Sequence, residues 1–406
     1  MRASAQHKDP AFALLLAAYI ALIAYGSFFP FEWRVPAAEV LRFPAWPSHV
    51  DKSDVIQNLF VYFPLGLLVA MSRNSARAIF HAALLGGMVS LSVEMMQYWL
   101  PARVPSMLDV VTDVTGAACG GMCAALWHGE THIGERLRHL RKQWIVPGTP
   151  ANMGLCVIVF WAVAQTAPLV PSLDIAQLRG DLAQLLRAMQ APERSDVVKI
   201  LMLACYQTGL SFLLCTLLRR PDKAVLVYSL LLLLVFGARL LVVERFVTLE
   251  LVIAALGSLA ALALWCESPA SRLAACGAVL IAAGLAIAEL APAPPSVTPA
   301  AFNWVPFSAQ IARADGFENL IACIWPGMAL AYCMRLAAPP QHRRVCALVG
   351  GMLLLVTMLA LEWLQQRIPG RHGDITQVAM VCAGWALMWM VRSRSRLPPS
   401  APPVGL

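Results

Sequence analysis

The chain has 406 residues, of which 59% are hydrophobic and 13% charged, against roughly 45–50% apolar and about 25% charged in a soluble domain. Much of its surface must therefore meet lipid. Thirty-one Lys and Arg against 23 Asp and Glu give a net charge of +8, but no basic stripe is interleaved with aromatics, which argues against a nucleic-acid partner. Eleven cysteines are scattered singly through apolar runs without a C-x-x-C pair; they read as small buried residues, not as a disulfide framework or a zinc site. His49, His81 and His128 stand alone, so no metal or other cofactor is expected.

A helix needs about 20 apolar residues to cross the hydrocarbon. Taken in order, twelve segments meet that rule: 11–29, 55–71, 76–100, 107–127, 151–170, 197–218, 224–243, 246–266, 271–290, 317–336, 345–364 and 375–391. The second is short, and the seventh and eighth are separated only by Glu244 and Arg245. The first follows Arg2 and Lys8 but is too long for a signal peptide and has no A-x-A-like cleavage site, so it reads as an uncleaved helix. With the N-terminus inside, the inner loops collect Arg73, Arg77, Arg136, Arg138, Arg141, Lys142, Arg219, Arg220, Lys223, Arg343 and Arg344. Positive loops are cytoplasmic, so both termini are expected in the cytoplasm and the protein in the cytoplasmic (inner) membrane. Ile133, Leu137, Leu140 and Trp144 share a face among basic residues, as in a helix lying on the inner leaflet. Leu178, Leu182, Leu185, Leu186 and Met189 make a comparable stripe expected on the outer leaflet.

One stretch organises the chain. Glu94, Gln97, Pro101 and Arg103 spell E-x-x-Q-x-x-x-P-x-R at the end of the third segment, and Glu362, Gln365, Pro369 and Arg371 repeat it at the end of the eleventh. An ionisable residue in an apolar, membrane-length segment is costly and marks a functional candidate. Further elements recur in the same order: Pro30-Phe31 and Pro306-Phe307; Asp54 with Asn58, and Asp315 with Asn319; Gly66 and Gly327, each eight residues after the Asn; and Asp109 and Asp374 opening the next helix. The first four and last four segments thus read as copies of one four-helix unit. An even number of helices lies between them, which makes the repeat parallel.

Within the first copy, Gln97 lies on the same helical face as Glu94. Asp109, Asp113, Gly116 and Gly120 line one face of the fourth helix, acidic at its outer end and small further in. These groups, with Asn58 opposite and Arg103 above, are expected to enclose a shallow polar pocket at the outer interface. The last four helices carry Asp315, Asn319, Glu362, Gln365, Arg371 and Asp374 but have no counterpart of Asp113 or of the glycine pair. Structural roles compete with this reading. Ser106 with Asp109 fits a capping box, Asp54 and Asp374 sit where N-caps sit, the arginines can anchor helix ends, and Glu94 can pair with Arg103 or Asn58.

This order of elements resembles the VanZ-like membrane protein family, closely over 25–121 and more weakly over 303–385. The resemblance implies a cell-envelope role. The family's founding association is with resistance to teicoplanin, a lipoglycopeptide, and similar proteins accompany envelope polysaccharide genes; it implies no particular reaction. The expected architecture is an all-α integral membrane protein of about twelve transmembrane helices. Its parts are a VanZ-like unit at 1–128, a cytoplasmic amphipathic linker at 129–150, a middle four-helix block at 151–268, a diverged second unit at 269–392 and a disordered tail at 393–406. Three functions compete. One is recognition of a polar lipid headgroup, lipid-linked glycan or lipoglycopeptide at the outer face, suited to hydroxyl-rich or amine-bearing ligands. The second is a membrane-embedded transferase or hydrolase with Glu94 or Asp109 as general base. The third is a transporter, disfavoured because the charges gather at one face and not at the midplane.

Overall fold

The computed structural model describes residues 10–28, 31–34, 44–48, 50, 52–71, 77–101, 103–128, 132–166, 175–242, 245–292, 302–308 and 316–390. The expected tail at 393–406, Asp315 and Pro30 lie outside them. Within them the chain is all-α, without a β-strand; three isolated backbone bridges tie loops together.

In chain order the helices are α1 (Pro10–Phe28), α2 (Lys52–Met71), α3 (Ala78–Gln97), α4 (Met107–His128), α5 (His132–Trp144), α6 (Thr149–Thr166) and α7 (Ile175–Gln190). They continue as α8 (Val197–Leu217), α9 (Ala224–Leu240), α10 (Leu249–Trp265), α11 (Ala270–Leu290), α12 (Gly316–Ala337), α13 (Arg343–Gln365) and α14 (Ile375–Met390). Each of the twelve apolar segments falls on a helix. Among the described residues, eight helices are long and apolar enough to cross a membrane: α2, α3, α6, α8, α9, α11, α12 and α13. The protein is an all-α membrane protein. The seventh and eighth segments are parted by more than a charged pair. Helix α9 stops at Leu240 and α10 begins at Leu249, where the Thr248 hydroxyl accepts the Leu251 N–H at 3.3 Å.

Two helices do not join the bundle through their apolar faces. Leu137 and Leu140 of α5 are exposed, as are Leu178, Leu182, Leu186 and Met189 of α7. Exposed leucines on one face of an otherwise polar helix suit an interfacial position.

Packing divides the molecule unevenly. One continuous core joins α6 and α8 through α14, with Trp161, Leu210, Leu217, Tyr228, Ile281, Tyr332, Met358 and Trp385 buried within it. The first four helices keep two small clusters of their own, around Tyr62, Leu65 and Ala117 and around Ala70, Ala78 and Ala124. Backbone proximity substitutes for bulky side chains there. A Cβ on Gly66 would sit 1.9 Å from the Ala117 carbonyl oxygen, and one on Gly120 2.0 Å from that of Phe63, so α2 and α4 touch main chain to main chain, as small residues allow in lipid.

The last four helices make the same kind of contact. A Cβ on Gly327 of α12 would lie 1.9 Å from the Val381 carbonyl oxygen of α14, and one on Gly384 2.2 Å from that of Ile324. The sequence reading found no counterpart to the glycine pair here, yet Gly384 performs the work of one member. Helix α3 lies tightly on α4 because Gly121 faces Ala82. Helix α13 instead faces α14 across Trp385, whose ring fills the space over Gly350 and Gly351 and whose Nε1–H donates to the Ala347 carbonyl at 3.1 Å.

Candidate functional site

Helix α3 ends because Pro101 cannot continue it. The chain leaves in a tight turn: Trp99 N–H donates to Met96 O, Leu100 N–H to Gln97 O and Arg103 N–H to Leu100 O. The second E-x-x-Q-x-x-x-P-x-R element turns identically, through Arg367 to Leu364, Ile368 to Gln365 and Arg371 to Ile368. Both turns hand the chain to an extended residue and then to the next helix. Ser106 pairs with Ala45 and Asp374 with Asn303, each in an isolated parallel bridge.

That path fixes the glutamates. The Ser106 N–H donates to Glu94 Oε2 at 2.7 Å, and the Asp374 N–H to Glu362 Oε2 at 2.8 Å. Each carboxylate caps an N–H twelve residues further on. Asp374 therefore stands where Ser106 stands, although residue type had matched it to Asp109. The capping expectation is half met. Ser106 Oγ accepts the Asp109 N–H at 3.4 Å, but the return bond of a capping box comes from Glu94 on the neighbouring helix, which leaves the Asp109 carboxylate for other contacts. Asp374 is a cap of its helix, with Oδ1 accepting the Thr376 N–H at 2.8 Å. Asp54 lies inside the first turn of α2, exposed, and is not its cap.

The arginines and glutamines bind the helix that opens each four-helix segment. Arg103 donates to the Gly26 carbonyl at 3.3 Å and Gln97 to the Ser27 carbonyl at 3.4 Å, at the C-terminal end of α1. Arg371 donates to the carbonyls of Ala288 at 2.6 Å and Ala291 at 2.9 Å, at the end of α11. A cation on terminal carbonyls satisfies orphan acceptors and complements the helix dipole.

From here the two sites diverge. The first encloses a cavity of about 490 Å³ lined by Asp54, Asn58, Tyr62, Glu94, Gln97, Arg103, Asp109 and Asp113, with Tyr19, Tyr25, Ser27, Phe307 and Leu320 completing the wall. All seven first-unit residues singled out from sequence line this one space. Asn58 lies against Asp109, with Asp54 nearby. Deeper, Ser90 Oγ donates to Asp113 Oδ2 at 2.7 Å. Asp113 is 4% exposed, and its Oδ1 is buried without a hydrogen-bond partner. A buried carboxylate is expensive, and the Tyr62 hydroxyl beside Asp113 offsets part of that cost. Ser90 carried no sequence signal. It is fully buried and does not line the cavity, which removes it as a nucleophile.

The second site is filled. Glu362 is 0%, Gln365 1% and Asp374 4% exposed. Glu289, near the end of α11, reaches in: Gln365 Nε2 donates to its Oε2, and Gln377, with its amide nitrogen toward the carboxylate, donates at 3.0 and 3.2 Å. Glu289 also faces Glu362. Neither Glu289 nor Gln377 was found by sequence reasoning. The available signal was one acid in the last turn of a helix that is apolar from Leu273 to Ala288. Of the residues predicted for this site, Asn319 is exposed, and Glu362, Gln365, Arg371 and Asp374 come together. Among the described residues, no group of three or more His, Cys, Asp or Glu has the placement to hold a metal ion.

The fold and the cavity define a polytopic helical membrane protein with a polar site at the ends of its helices. Residues 12–128, which supply most of that site, match the VanZ/LLP1 family model and so resemble a VanZ-like unit. No curated protein and no solved structure matches the chain.

Proposed function

We propose that this VanZ-like membrane protein works in the cell envelope and binds a polar or glycosylated lipid headgroup, or the polar part of a lipoglycopeptide, in the cavity of its first unit. The carrying observation is the cavity itself: about 490 Å³ of space lined by Asp54, Glu94, Asp109 and Asp113 with the amides of Asn58 and Gln97 and the guanidinium of Arg103. Several fixed acceptors in one hollow suit a ligand rich in hydroxyls or carrying an amine. A site at helix ends suits a headgroup whose acyl chains stay in lipid. This reading places the protein in the cytoplasmic membrane with both termini inside, the cavity facing outward, twelve spans, and the last four helices as a parallel second copy. It fits a part in envelope polysaccharide handling or teicoplanin-type resistance.

Native mass spectrometry of the purified protein and of Asp109→Ala, looking for a co-purifying lipid, tests it. Asp109 is the better variant because Glu94 also holds the chain of the turn. A defined glycolipid or aminolipid on the wild type, absent from a monodisperse Asp109→Ala variant, supports the reading. Identical lipid complements on both overturn it.

A further inference from the structure

The two E-x-x-Q-x-x-x-P-x-R sites share a frame but differ in what fills them. Gly26 and Ala288, which accept from Arg103 and Arg371, each lie two residues before the end of their helices. The next position is Ser27 in α1 and Glu289 in α11. Gln97 reaches only the backbone of Ser27, whereas Gln365 reaches the Glu289 side chain. On the far wall, three residues past the N–H capped by each glutamate, stands Asp109 in one site and Gln377 in the other. The second site thus holds a carboxylate gripped by amide donors and set against Glu362 and Arg371. The first offers carboxylates around a space, with Ser27 too short to fill it.

We infer that Glu289 is a built-in occupant of the second site, standing where a ligand stands in the first, so that the first unit alone binds ligand. Resting on the function proposed above, the comparison also assigns the ligand's polarity. Where the wall donates, through Gln377, the occupant is an acceptor. Where the wall accepts, through Asp109 and Asp113, the occupant must donate. The first site therefore favours hydroxyl or ammonium groups over a headgroup with only anionic oxygens, because four carboxylates against the one guanidinium of Arg103 line it. Serine at position 27 leaves the place open, and glutamate at position 289 shuts it.

Native mass spectrometry of the full chain in a polyoxyethylene detergent tests this. The probes are glucosyl dioctanoylglycerol, dioctanoyl phosphatidylethanolamine and dioctanoyl phosphatidate. The expected result is one equivalent of the glucosyl or the ethanolamine probe on the wild type, with phosphatidate bound at least tenfold more weakly; which donor probe binds separates hydroxyl from ammonium recognition. Ser27→Glu should lose that equivalent by at least tenfold while remaining monodisperse. Glu289→Ser should gain a second equivalent, and if that variant does not fold, Ser27→Glu decides. Two equivalents on the wild type, or full binding by Ser27→Glu, would overturn the inference and leave headgroup recognition standing. Preference for phosphatidate would overturn the assigned polarity. If no probe binds the wild type, the headgroup reading fails and this inference with it.

Discussion

The Glu94 carboxylate and the Ser106 N–H, twelve residues apart and 2.7 Å from one another, tie the end of α3 to the start of α4. Removing the side chain leaves a partly buried N–H without an acceptor, at a cost of about 1–3 kcal/mol. A glutamine keeps an oxygen in the same place. Thermal unfolding in detergent should therefore show a lower midpoint for Glu94→Ala than for Glu94→Gln, with Glu94→Gln close to wild type. Equal midpoints for the two variants would refute this role.

Ser90 and Asp113 form a buried pair, with one carboxylate oxygen held at 2.7 Å and the other unpartnered. Ser90→Ala strips the carboxylate of its 2.7 Å hydroxyl bond, leaving the Tyr62 hydroxyl beside it, and should cost on the order of 1–3 kcal/mol. Removing both groups removes the stranded oxygens as well. The double variant Ser90→Ala/Asp113→Ala is thus expected to be more stable than Ser90→Ala alone. A double-mutant cycle of thermal midpoints reads the coupling, and additive losses would count against it.

Helices α2 and α4 meet where Gly66 leaves no room for a Cβ, since the obstacle is the Ala117 carbonyl and not a movable side chain. Gly66→Ala must push the helices apart, at a cost of roughly 1–3 kcal/mol or more. Gly26→Ala meets nothing within 4 Å and serves as the silent control. Size-exclusion profiles of the two variants should differ, with aggregate appearing for Gly66→Ala alone.

Trp385 fills the gap between α13 and α14 and is 7% exposed. Trp385→Ala opens a cavity in the continuous core and should cost about 3–5 kcal/mol. That loss should exceed the effect of Glu94→Ala. Denaturation followed by tryptophan-independent circular dichroism gives the comparison.

The helices were legible in sequence because apolar runs of membrane length leave few alternatives. The E-x-x-Q-x-x-x-P-x-R element was legible because charge in such a run is costly. What each glutamate binds was not. Its partner is a backbone N–H on the far side of a turn, and no side-chain type announces it. Matching by residue type paired Asp374 with Asp109; distance along the chain from each glutamate pairs it with Ser106. Glu289 was overlooked because Ser27, which takes its place in the first unit, has no carboxylate to suggest a match. Trp385 drew no reading from sequence, because one aromatic in an apolar run does not stand out. Only packing shows that it occupies the room that Gly121 gives up to Ala82.

Tyr25 stands between the rings of Phe31 and Phe307, with centroids 5.3 and 5.5 Å away, and its hydroxyl donates to the Pro306 carbonyl at 2.6 Å. Both phenylalanines hold a left-handed backbone with φ of 64°, a conformation rare for bulky residues and costing on the order of 1–3 kcal/mol each. Phe307 and Leu320, from the far third of the chain, also wall the first unit's cavity. The filled half of the molecule thus supplies a jamb to the open half's doorway. The shape of that entrance is therefore set in part by apolar side chains about two hundred residues away in sequence from the acidic floor, and none of them carries a charge.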